Sequence, residues 1–80
     1  MGFRSTGNEV AIRNLTPSHR RAIVAAEEAV NDGALCYWAP SFKAVRNAET
    51  MGVARQEQEG CLLMALTAFG KAIREDLKSA

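Results

Sequence analysis

This chain contains one histidine, one tryptophan and one tyrosine, and those scarcities narrow its chemistry. A lone His19 and two cysteines, Cys36 and Cys61, without C-x-x-C spacing leave no ligand set for a zinc or redox centre. No serine, histidine and acid fall in a nucleophile-elbow context, and no glycine-rich loop is built to cradle phosphate. The sequence therefore predicts no enzyme and calls for no metal or cofactor. His19 reads as a solvated residue in the first turn of a helix.

Long hydrophobic runs are missing too. The longest, "ALCYWA" and "CLLMAL", hold six residues each, where a membrane helix needs roughly 18. The opening "MGFRSTGNEV" lacks the apolar segment of a secretory signal. The expectation is a cytoplasmic protein without membrane contact, its cysteines reduced and buried. Excess charge is also scarce, with a formal net of +1. Residues 1–55 carry seven basic against five acidic residues, and residues 56–80 three against four. A dedicated nucleic-acid domain is usually more basic, so distribution matters more than the sum.

What is present is one small domain's worth of amphipathic pattern. Residues 1–15 read as a loose arm in which "VAIRNL" forms a strand or an extended lead-in, and residues 16–80 as the folded unit. In "TPSHRRAIVAAEEAVNDG", Thr16 caps a helix, Pro17 fits its first position, and Ala22, Ile23, Ala26, Ala29 and Val30 make one stripe. Asn31, Asp32 and Gly33 close it. "ALCYW" is a short strand ended by Pro40. Ser41 caps a second helix with Phe42, Val45, Ala48 and Met51 inward and Gly52 as its stop. "VARQ", "EQEG" and "CLLMAL" give strand, turn and strand, with Leu62, Met64 and Leu66 on one face. Thr67 caps a last helix striped by Phe69, Ala72, Ile73 and Leu77. The fold class is α+β, mainly α: three helices and a small antiparallel sheet in the order α-β-α-β-β-α.

Gly70 stands out, because a glycine inside a helix costs about 1 kcal/mol relative to alanine. Its use there is close approach, since a side chain facing the neighbouring helix would push the last helix away. "FKAVRNAETMGVARQEQEGCLLMALTAFGKAI" resembles the compact winged-helix domains common in bacterial and phage proteins. Val45, Arg46, Glu49, Gly52 and Val53 match the family's motif leading into the wing, and Leu66, Thr67 and Gly70 match the motif that ends it. Ala48 and Met51 depart from the family's leucine and basic residue, and the stretch 34–40 leaves room only for an extended segment where the family has another helix.

The resemblance implies a transcription-regulatory module that binds double-stranded DNA through the helix Ser41–Met51. Its outward Ser41, Lys43, Arg46, Asn47 and Thr50 have types suited to base edges and phosphate, and Arg20, Arg21 and Arg55 are candidates for further phosphate contacts. Arg4 and Arg13 belong to a basic arm. Glu57 and Glu59 at the wing tip oppose DNA there. The alternative is a protein-interaction module, such as a phage inhibitor of a host protein of the anti-CRISPR type, anchored by Tyr37 and Trp38. Homodimerisation through the terminal helices would enlarge so small a core.

Overall fold

The computed structural model describes residues 7–28 and 34–79. It comprises α1 (Gly7–Arg13), α2 (Pro17–Val24), β1 (Glu27–Glu28), β2 (Leu35–Trp38), α3 (Phe42–Met51), β3 (Ala54–Gln56), β4 (Leu63–Leu66) and α4 (Ala68–Ser79). The four described strands form one antiparallel sheet in the order β1-β2-β4-β3. The class is α+β and mainly helical, but four helices are described where the sequence suggested three.

The extra helix is α1, which replaces part of the expected loose arm. Glu9 in its first turn and Arg13 in its last suit the helix dipole. Ala11 and Leu15, four residues apart, enter the core. Asn8 Nδ2 donates to Asp76 Oδ2 on α4 at 2.7 Å, and Arg20 Nε donates to the Ile12 carbonyl at 3.1 Å. "VAIRNL" was open to a strand reading because its apolar residues satisfy both periods over so short a run.

Helix α2 is shorter than its pattern suggests. Thr16 caps it by accepting from the His19 N–H, as expected, but Ala25 ends it. Ala26 is buried outside the helix, and its carbonyl accepts from Arg74 Nη2 at 3.4 Å. Glu27 and Glu28 then pair with Cys36 and Leu35, so the chain exchanges helical bonds for strand bonds. The expected continuation through Ala29 and Val30 to Gly33 lies outside the described residues.

From β2 onward the expected order holds. Ser41 accepts from the Ala44 N–H to start α3, and Gly52 ends it at φ 76°. The Val53 N–H reaches the Ala48 carbonyl at 2.9 Å and the Gly52 N–H reaches Glu49 at 3.1 Å. These two bonds are the pairing of a Schellman cap, which satisfies the last helical carbonyls. Val45 and Ala48 are buried, but Phe42 is 52% exposed, because the stripe meets the core only from Val45 onward. On α4, Ile73 is buried with Phe69 and Leu77 against the core, while Ala72 is exposed. Met64 and Leu66 are buried and Leu62 packs beside them. Cys36 and Cys61 are not joined in a disulfide, and both are half-buried rather than fully enclosed.

Gly70 sits against backbone, and the neighbour is the Val53 carbonyl rather than a helix. A Cβ at this position would lie 1.9 Å from the Val53 oxygen and 2.9 Å from Leu66 Cδ2. That same oxygen accepts from the Thr67 N–H at 3.0 Å, and Thr67 Oγ1 accepts from the Gly70 N–H at 3.0 Å. The Thr67 hydroxyl proton has the Gly52 and Val53 carbonyls within reach, at 2.5 and 3.0 Å. Gly70→Ala should thus destabilise by about 2 kcal/mol or more, the clash outweighing the roughly 1 kcal/mol that alanine gains in a helix. Urea unfolding measures this, and a variant as stable as the parent would show that α4 does not rest on Val53.

Candidate nucleic-acid interface

A groove of about 780 Å³ opens between the start of α2 and the exposed face of α3. Five of the eight candidate nucleic-acid residues line it: Ser41, Lys43, Arg46, Asn47 and Thr50. Their grouping follows from helical spacing, since Lys43, Arg46, Asn47 and Thr50 recur every three or four residues opposite Val45 and Ala48. The other wall contains Asn14, Thr16 and Ser18. The caps of two helices, Thr16 for α2 and Ser41 for α3, therefore border the same space. Helix N-termini carry partial positive charge, which adds to that of Lys43 and Arg46. Among the described residues no carboxylate lines the groove.

The remaining candidates lie elsewhere. Arg20 is half-buried and holds the Ile12 carbonyl, and Arg21 lines a separate hollow of about 430 Å³ with Val24 and Leu77. Both follow the cap of α2 on turns that face α1 and α4 instead of α3. Arg55 is exposed on β3, opposite Ala65, and takes no part in the groove. Glu57 and Glu59 are both exposed and do not line it either. Asn47 is partly engaged, donating from Nδ2 to the Asn14 carbonyl at 3.3 Å. Arg4 lies outside the described residues.

His19 corrects the sequence reading most sharply. It is 1% exposed, and its Nε2 lies 2.8 Å from the Tyr37 hydroxyl. Burial lowers the His19 pKa from its ordinary 6.5 and pushes the Tyr37 phenol above its usual value. A legible signal was missed: His19, Ile23 and Ala26 share the spacing of one buried stripe. Tyr37 is likewise no surface anchor. It is 3% exposed, pairs across the sheet with Met64, and leaves the adjacent Trp38 65% exposed by strand alternation. The Tyr37 hydroxyl also lies 3.9 Å from Met64 Sδ.

Among the described residues no group of three His, Cys, Asp or Glu side chains is placed to hold a metal ion, and no helix is long and apolar enough to cross a membrane. Compared with known families, curated proteins and solved structures, the chain matches none.

The buried imidazole gives a stability dependence of definite sign. Because the folded pKa is depressed, the unfolded chain binds the proton more readily below 6.5. The folded state should lose stability as pH falls from 6.5 towards the lower folded value, and keep this contribution above 6.5. Melting curves between about pH 7.5 and about pH 5 should show a steeper loss for the parent than for His19→Gln, which lacks the titrating ring. Parallel curves would mean that folding leaves the His19 pKa unshifted.

Proposed function

We propose that this protein is a small non-enzymatic module of the winged-helix type, with the groove beside α3 receiving double-stranded DNA. The observation that carries this reading is the composition of the groove. Two cations, two helix caps and four further side chains that hydrogen-bond through hydroxyl or amide groups meet there, without a carboxylate among the described residues. Such a surface suits a phosphate backbone, whose oxygens accept from Lys43, Arg46 and the hydroxyls. Arg46 has the donor geometry for a guanine edge, while Lys43 acts as a point charge on phosphate. The strand order also supports the reading, since β3 and β4 form a hairpin after α3 and β2 flanks it. Glu57 and Glu59, the expected obstacle, lie off the groove. Repression or activation of transcription would follow from occupancy of an operator.

Lys43→Ala and Arg46→Ala should each weaken duplex binding by about tenfold and lower the salt slope by about one. Arg21→Ala should change affinity by less than about twofold, as a residue away from the phosphate contacts. Fluorescence anisotropy with a labelled duplex across a salt series reads all three. Failure to bind any duplex at low salt would remove the proposal.

A further inference from the structure

A second concavity, of about 540 Å³, has the opposite electrical character. Glu27 and Glu28 come from β1, Trp38 from the end of β2, Glu57 from the segment after β3, and Ala25 from the end of α2. Among the described residues no cationic side chain lines it. The ion pairs among the described residues comprise Arg74 with Glu75, so none of these three carboxylates is neutralised that way. Ala25 brings the negative end of the α2 dipole to the same place. Three separate elements thus hold like charges together beside a large apolar ring that is 65% exposed.

The chemistry selects the occupant. The three carboxylates are not placed as a metal ion would require, which points to an organic cation. An indole face attracts cations, and a guanidinium can stack on it while its edge donates two parallel bonds to a carboxylate. An ammonium is more strongly hydrated and offers no flat face. We propose that this pocket docks an arginine side chain of a partner protein, with the guanidinium stacked on Trp38 and paired with Glu27 and Glu57, which strand alternation puts on the Trp38 face, while Glu28 at the rim adds to the negative field. The proposal is independent of duplex binding, because the two concavities share none of their described lining residues.

Trp38 is the sole tryptophan, so intrinsic emission reports on the pocket directly. The probe is a blocked peptide with three arginines separated by glycines, compared with its lysine and citrulline counterparts. A saturable emission change is expected with the arginine peptide, several-fold weaker with lysine and at least about tenfold weaker with neutral citrulline. Combined Glu27→Gln, Glu28→Gln and Glu57→Gln should weaken the arginine peptide by about tenfold while duplex affinity stays within about twofold of the parent. Trp38→Leu, read by calorimetry, should also weaken it several-fold. Equal binding by the Trp38→Leu protein would reduce the effect to bulk charge and overturn the proposal, as would equal affinity for citrulline or no saturable change. Self-association that the same glutamine substitutions abolish would reassign the pocket to a second copy of this chain. The duplex titration stands apart, so either binding can fail without the other.

Discussion

The carbonyl of Val53 occupies the space that a side chain at residue 70 would need, and the described fold converges on that contact. Val53 follows the cap of α3, precedes β3, and accepts from the first residue after β4. Helix, hairpin and closing helix therefore meet around one peptide unit. Gly70 makes the approach sterically feasible, and Thr67 makes it directional by joining the Gly70 N–H to the carbonyls that end α3. The helix propensity lost at Gly70 is small beside the hydrogen bonds and burial gained. The orientation of α3, and with it the polar face carrying Lys43 and Arg46, depends on this junction.

A second organising element is α2, only two turns long. Its first turn borders the groove rich in hydrogen-bonding groups, and the residue that ends it borders the tryptophan pocket. The helix dipole thus reinforces the charge on each side, positive where Lys43 and Arg46 lie and negative where Glu27, Glu28 and Glu57 lie. A formal net of +1 conceals this separation completely. Overall charge is a poor guide to the local surface here, because the two signs are sorted in space and not along the chain.

Much of the architecture was legible from residue 34 onward. Ser41, Gly52 and Thr67 each impose a local conformation through a capping oxygen or a positive φ, so the elements they bound could be read directly. The N-terminal third was less readable. Seven residues of α1 carry too little periodicity to tell helix from strand, and α2 ends at Ala25 through pairing with a distant strand. The candidate site divided along the same line. Five residues on one helix face were found together because helical spacing is local, whereas Arg20, Arg21 and Arg55 depended on tertiary placement. The wall made by Asn14, Thr16 and Ser18 was hidden behind their roles as cap and connector. For Tyr37 and Trp38, alternation showed that they would part, but not which would turn inward.

The hydrogen bond between His19 and Tyr37 joins the walls of two hollows. His19 is among the lining residues of one and Tyr37 of the other, and their side chains meet at 2.8 Å in the interior. Such a strut makes neither cavity wall an independent part. Over generations, drift that reshapes one side must be answered across the core, so the two hollows should be inherited as a unit.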